Sequence, residues 1–256
     1  FFELIFKMLG IVIQARTGST RLPNKMLLPF HASKGILELL LEKLRNSFNN
    51  LPIIVATTTN NRDDVIVELC LKNKIKYFRG SENNVLQRFI DVANKFSLTK
   101  IIRVCADNPF LSMEALSVLI SKFPNSDLDY MSFQTSNGVP VIRTQYGFWT
   151  EAVTLIALKR IKKQTNSSNF LEHVTNYIYD HPESFNIKFL EIQSFFEQKT
   201  NIRMTLDTHE DYLLLQEIYK EYIELQERTL RSLVELVSKN RIWLEKMNLQ
   251  MIKNKK

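Results

Sequence analysis

The sequence predicts an α/β protein with a mainly parallel central sheet and helices on both faces. Two observations predict it. Short β-branched apolar runs alternate with segments of helical spacing through the first half of the chain. Polar residues also gather just after the strand-like runs, where open α/β sheets bind their ligands. A βαβ order implies right-handed crossovers, each laying a helix over one face of the sheet.

Residues 9–15 (LGIVIQA) read as the first strand, buried and ending at a polar loop. Residues 36–48 carry Leu37, Leu40, Leu41 and Leu44 at helical spacing. Residues 53–57 (IIVAT) are the second strand, followed by a helix from about residue 62 to 72 with Val65, Ile66 and Leu69 inward. Residues 76–78 make a short third strand. Residues 85–96 make a helix with Val85, Leu86, Phe89, Ile90 and Ala93 on one face. Residues 101–106 (IIRVCA) are the fourth strand and 113–123 the fourth helix.

In the second half, residues 130–134 and 139–143 are expected to form strands around an Asn137–Gly138 turn. Residues 154–163 and 172–179 read as helices, 185–191 as a strand, and the chain from Glu210 onward as helix. Its apolar stripe (Leu213, Leu214, Ile218, Tyr222, Leu225) suits packing on the sheet, and a homodimer contact is the other use for it. With 6 glycines and 7 prolines among 256 residues and no linker, a single domain is expected. Within it, residues 9–134, 135–209 and 210–256 would form three successive parts, the last a helical end.

The net charge of +7 comes from 34 basic and 27 acidic residues. No arginine stripe or nucleic-acid motif accompanies it, which points away from nucleic acid and toward small anionic substrates in a basic cleft. Cys70 and Cys105 lie in apolar runs and read as buried free thiols of a reducing compartment. Glu3 and Lys7 interrupt the apolar start, Met8 reads as the natural first residue, and no apolar run is long enough to span a membrane. The expected location is cytoplasmic.

Four segments carry the chemistry. Residues 14–25 (QARTGSTRLPNK) place Arg16, Arg21 and Lys25 around Gly18, Ser19 and Thr20. Small residues let backbone N–H groups approach phosphate oxygens, and the cations neutralise them. The spacing is not that of a Walker A loop. Residues 79–88 (RGSENNVLQR) follow the third strand, with Asn83 or Asn84 placed to cap the next helix. Asp107–Asn108–Pro109 follows the fourth strand, where an aspartate suits a metal, a helix cap being the other reading. Asp207 within residues 203–212 (RMTLDTHEDY) again follows a strand-like run, and Thr208 or Asp207 could equally cap the helix that begins at Glu210–Asp211.

Together these segments resemble the cytidylyltransferase family that includes the synthetases of CMP-linked acidic sugars, closest to its branch of spore-coat polysaccharide biosynthesis proteins. The family's opening loop, QAR-x-GSTRLPGK, is matched by QARTGSTRLPNK. Its ATT is matched by residues 56–58, its GSE-x-x-VL-x-R by 80–88, and its GD-x-P by 106–109. EHVT-x-Y-x-Y is matched by residues 172–179, and RLT-x-DT-x-ED by 203–211.

The resemblance implies a Rossmann-like, GT-A-like nucleotidyltransferase fold and transfer of CMP from CTP to an acidic sugar with Mg2+. It implies catalytic roles for Arg16, Lys25 and Asp107. Nucleotide contacts would come from Ala15, Arg16, Gly18, Ser19, Arg21, Lys25, Thr57, Arg79, Gly80, Ser81 and Asp107. Asp107 and Asp207 would hold the metal, and Glu151, Glu172 and His173 would face the acceptor, which makes residues 9–134 the nucleotide-binding half and 135–209 the acceptor and metal half. The chain departs from the pattern at Gln87, where the branch has aspartate, at Ala106 for glycine, and at residues 33–35 after the loop. A nucleotide-sugar glycosyltransferase is the rival reading, disfavoured because Asp107–Asn108–Pro109 lacks the second aspartate of DxD. A non-sugar acceptor is another.

Overall fold

The structure, a computed structural model, describes residues 9–199 and 201–254. The reading of residues 1–8 lies outside the described residues. Seven strands form one sheet: β1 (Leu9–Gln14), β2 (Ile53–Thr58), β3 (Lys76–Gly80), β4 (Lys100–Cys105), β5 (Tyr130–Gln134), β6 (Glu151–Thr154) and β7 (Ile187–Glu191). Their order across the sheet is β3-β2-β1-β4-β6-β5-β7. The pairs β1–β2, β1–β4, β2–β3 and β5–β7 are parallel, and β6 runs antiparallel between β4 and β5.

Strand β1 has a buried neighbour on each side and both of its faces covered, which is why LGIVIQ is an unbroken apolar run rather than an alternating one. Helices α1 (Ile36–Ser47), α2 (Asp64–Lys72) and α4 (Met113–Lys122) cover one face; α3 (Val85–Lys95) and α5 (Leu155–Gln164) cover the other. The predicted inward residues of α3 are all buried. In α2, Ile66 and Cys70 face the core while Val65 is exposed, a correction of the inward set by part of a turn.

Three differences from the sequence reading have local causes. The segment predicted as a strand at 139–143 holds only a bridge at Pro140 and a 3-10 turn at Val141–Arg143. The Asn137–Gly138 turn does form, but β5 already pairs on both edges, and Pro140 has no N–H to offer a ladder. Strand β6 was hidden because four residues between an aromatic run and a helix cap carry no readable period.

The predicted helix at 172–179 is two short helices, α6 (Ser168–Glu172) and α7 (Asn176–Asp180). Between them the Thr175 hydroxyl donates to Glu151 at 2.8 Å, holding the segment against the sheet.

The helical end is likewise divided, after a short α8 (Ser194–Glu197), into α9 (His209–Ile223), α10 (Leu230–Lys239) and α11 (Arg241–Lys253). Thr229 and Asn240 cap the last two. Leu214, Ile218 and Tyr222 of α9 are buried, whereas Leu213 is exposed and leaves the predicted stripe.

Candidate active site

Because β1 lies between β2 and β4, the sheet runs outward in both directions from it, and the crevice at its carboxyl end is the switch point where such folds hold ligands. The loop after β1 turns back on itself: the Thr17 carbonyl accepts from Ser19 N at 2.8 Å and from Asn24 N at 3.1 Å. Asn24 has φ 58°, a left-handed conformation that glycine and asparagine tolerate best. The family's glycine at this position is therefore replaced by the residue that costs least. Ala106, the other replaced glycine, lies outside the left-handed region and carries no backbone strain.

The loop is pinned from below by Asp63, which the sequence reading had passed over. Its buried carboxylate accepts from Thr17 N at 2.7 Å, from the Thr17 hydroxyl at 2.6 Å, and from the Thr58 hydroxyl. Burial pushes the Asp63 carboxyl upward, but these hydrogen bonds outweigh it and hold the group below the usual carboxylate range. Asp63 thus stabilises the fold above its unfolded pKa, and that stability is lost as pH falls through the lower folded value. Asp63→Asn is expected to flatten the acid limb of the melting-temperature profile below about pH 4. Thermal melts from pH 2 to 7 on both proteins measure it, and parallel limbs would refute the role.

Beside the pinned turn, a cleft of about 720 Å³ is walled by Thr17, Gly18, Pro23, Leu28, Arg62 and Val65. Lys25 points elsewhere. Its ammonium donates to Asp107 Oδ2 at 2.6 Å and to the Leu206 carbonyl at 2.6 Å, and lies 3.5 Å from Asp207 Oδ1. The structure therefore brings together Asp107 and Asp207, 100 residues apart in sequence, on either side of one lysine. Burial lowers the Lys25 pKa, but the two aspartates outweigh it and raise the value, so the group is charged.

Asp207 also receives Arg21 at 2.9 Å and Arg203 at 3.1 Å. Burial opposes its ionisation, yet Lys25, Arg21 and Arg203 hold its pKa below the usual range. Arg203 is itself fixed by a two-pronged contact with Asp211, at 2.8 and 2.7 Å. Asp211 Oδ2 accepts from the backbone N–H groups of Asp207 and Thr208, each at 3.0 Å. The capping reading of RMTLDTHEDY thus belongs to Thr208 and Asp211, which leaves the Asp207 side chain to the cluster. Helix α11 and its cap brace both sides of the cluster: Met247 Sδ accepts from Arg203 N, and Asn254 Oδ1 accepts from Arg21 of the opening loop at 3.3 Å.

On the other flank, Arg16 pairs with Glu172 at 2.9 Å, joining the opening loop to the α6–α7 segment. His173 follows at the exposed end of α6. Glu82, from the loop after β3, binds Arg62 at 2.7 Å and Asn60 at 2.9 Å. It also sits where a Cβ on Gly18 would come within 3.3 Å, so the two predicted loops meet.

Several predicted nucleotide residues have structural duties. Arg79 staples the end of β2, donating to the carbonyls of Thr58 and Asn60 and pairing with Asp64. The Ser81 hydroxyl accepts from Asn84 N. Gln87 donates along its helix to Asp91 at 2.7 Å, so the departure from the family pattern is absorbed within α3. The Thr57 hydroxyl is buried and has no partner among the described residues.

Arg88, the last residue of the 79–88 segment, is fully buried. One guanidinium nitrogen donates to the Ser81 carbonyl at 2.7 Å, while Nε and Nη2 find no partner among the described residues. Burial, with Arg16 adding to it, pushes its pKa down to about 10.

Glu151 is placed otherwise than the resemblance implies. It is fully buried in β6, and both of its oxygens are occupied: Arg103 and Thr175 on one, Tyr130 and Tyr179 on the other. This side chain is thus enclosed between β4, β5 and the α6–α7 segment, which supply its four partners. Burial and then the Glu151 charge hold the Tyr130 and Tyr179 phenols well above their ordinary pKa. Arg103 reaches on to Gln14 at 3.2 Å, at the root of the opening loop.

Among the described residues, no helix is long and apolar enough to cross a membrane. No group of three or more His, Cys, Asp or Glu side chains forms a ready-made metal cage there either.

The profile of the family described as cytidylyltransferase matches residues 10–246. The chain belongs to the cytidylyltransferase family. It is 34% identical over 236 residues to the spore coat polysaccharide biosynthesis protein SpsF of Bacillus subtilis, covering 90% of this chain and 93% of that one. A cytidylyltransferase structure from Leptospira borgpetersenii superposes with TM-score 0.81 at 29% identity, over 93% of this chain and 96% of the other. The structure of CMP:2-keto-3-deoxy-manno-octonic acid synthetase complexed with CTP has TM-score 0.62 at 15% identity, over 83% and 98%. This cytidylyltransferase is thus a nucleotidyltransferase enzyme with that fold.

Proposed function

We propose that this cytidylyltransferase moves CMP from CTP to an acidic sugar of the nonulosonic or octulosonic type, releasing pyrophosphate, for a surface polysaccharide or glycan. The observation that carries the reading is the meeting of Lys25 and Arg21 with Asp107 and Asp207 at the switch point. The name of SpsF supports the polysaccharide setting, and the octonic-acid synthetase complexed with CTP supports the nucleotide and the kind of acceptor. A cytoplasmic location, where CTP is made, goes with it.

In this reading an acceptor oxygen attacks the α-phosphorus, the bond from that phosphorus to the bridging oxygen breaks, pyrophosphate leaves, and the acceptor's proton passes to solvent. The protein contributes position and charge. Lys25 and Arg21 take the phosphate oxygens and offset charge on the leaving group. The pinned turn at Thr17–Ser19 offers backbone N–H groups. Arg16 steadies the triphosphate from the side that faces Glu172 and His173, and those two receive the acceptor. Arg79 and Ser81 shape the loop over the cytidine, through backbone placement more than through free donors.

The donor set fits a divalent ion. Two carboxylates, Asp107 and Asp207, converge on one point, and magnesium commonly takes one or two carboxylates with the rest from phosphates and water. When bound, Mg2+ would supply Lewis-acid neutralisation of phosphate charge.

The test is pyrophosphate release measured with each of the four nucleoside triphosphates against a panel of acidic sugars. Release is expected with CTP and at least one acid sugar, and far more slowly with the other nucleotides. No release with CTP and any acid sugar, but release with a neutral or phosphorylated acceptor, would overturn the acceptor class.

A further inference from the structure

We propose that Lys25 is the chain's own stand-in for the metal ion, so that metal and triphosphate bind synergistically, each clearing the place the other needs. The inference rests on the cytidylyltransferase reading and goes beyond it in giving Lys25 a part in metal binding.

The ammonium has three donors, and three oxygens surround it: Asp107 Oδ2 at 2.6 Å, the Leu206 carbonyl at 2.6 Å and Asp207 Oδ1 at 3.5 Å. Arg21 covers the same Asp207 oxygen at 2.9 Å, and Arg203 the other at 3.1 Å. Both carboxylates that would receive a divalent ion are thus already neutralised, and Lys25 is 8% exposed. An incoming cation meets a buried positive charge at the point it must reach. It also cannot displace that charge cheaply, because an ammonium moved off its partners stays poorly solvated.

A triphosphate changes both terms. Its oxygens give Lys25 and Arg21 new anionic partners, and their departure uncovers Asp107 and Asp207. The exchange is reciprocal: a metal held by the aspartates frees Lys25 for the phosphates. By linkage, each ligand then tightens the other by the same factor.

The experiment uses the full chain and Mn2+ as probe, with free Mn2+ read by its electron paramagnetic resonance signal. Wild type is titrated without nucleotide and with a non-transferable α,β-methylene analogue of CTP, corrected for Mn2+ held by the analogue alone. Lys25→Met and Lys25→Gln are titrated without nucleotide, their folding checked by thermal melts. Wild type alone is expected to bind Mn2+ weakly, and the analogue to tighten it roughly tenfold or more.

Both lysine variants are expected to bind Mn2+ about tenfold more tightly than wild type without nucleotide. Adding Asp107→Asn should abolish that gain. Removing a cation would thereby strengthen metal binding while weakening the enzyme's hold on CTP. Lysine variants that bind Mn2+ no better than wild type, while the analogue still recruits it, would overturn the stand-in role and leave the enzyme reading intact. Absence of Mn2+ binding in every form, analogue included, would overturn the metal assignment and the stand-in role with it.

Discussion

Asp107→Asn is expected to lower kcat by about a thousandfold, the loss typical of removing one well-placed electrostatic group from a transition state. The change keeps shape and one acceptor oxygen, so Lys25 retains a hydrogen bond there as well as its contacts with Leu206 and Asp207. The Asp107 side chain is also about one-third exposed (32%), and little core depends on it. The melting temperature should therefore stay within about 2 °C of wild type. Steady-state kinetics beside a thermal melt separate the outcomes. Full activity would remove Asp107 from the mechanism, and a collapse in melting temperature would assign it to structure.

The second large effect falls on stability. Glu151→Leu leaves Arg103 buried without its carboxylate, and two phenols and the Thr175 hydroxyl without their acceptor. Removing one partner of a buried ion pair costs about 3–5 kcal/mol. In a chain of this size that is a fall of about 10 °C in melting temperature. The network also ties Gln14, at the root of the opening loop, to the α6–α7 segment that carries Glu172 and His173. A loss in acceptor binding should accompany the loss of stability. A melting temperature unchanged by Glu151→Leu would contradict the assignment of this carboxylate to the fold rather than to the cleft.

How far the sequence could be read depended on how local each cause was. The strands β1, β2 and β4 were legible because both faces of each are covered, which forces unbroken apolar runs. The opening loop was legible because small residues and three cations in twelve positions have few other uses. Strand β6 was not, since its place between β4 and β5 comes from pairing partners tens of residues away. That pairing decides which way Glu151 points, and it moved a predicted acceptor residue into the interior.

The role of Asp63 and the burial of Arg88 were not legible for a related reason. An aspartate in NNRDD and an arginine on an amphipathic helix look like solvated surface until tertiary contacts bury them. Asp107 and Asp207 were legible as strand-end carboxylates. Their meeting across Lys25 was not, because only the sheet order brings the two strand ends to one crevice. The family resemblance supplied what local physics lacked, and the profile match over residues 10–246 bears it out at the level of the family.

The central claim is that this crevice passes CMP from CTP to an acidic sugar. The most direct measurement is pyrophosphate release across nucleotides and acid sugars, with mass analysis of the product. The account predicts one pyrophosphate for each acid sugar that gains the mass of CMP, with CTP as the working nucleotide. Orthophosphate or a free nucleoside diphosphate as the leaving product, or an acid sugar that never gains CMP, would contradict it.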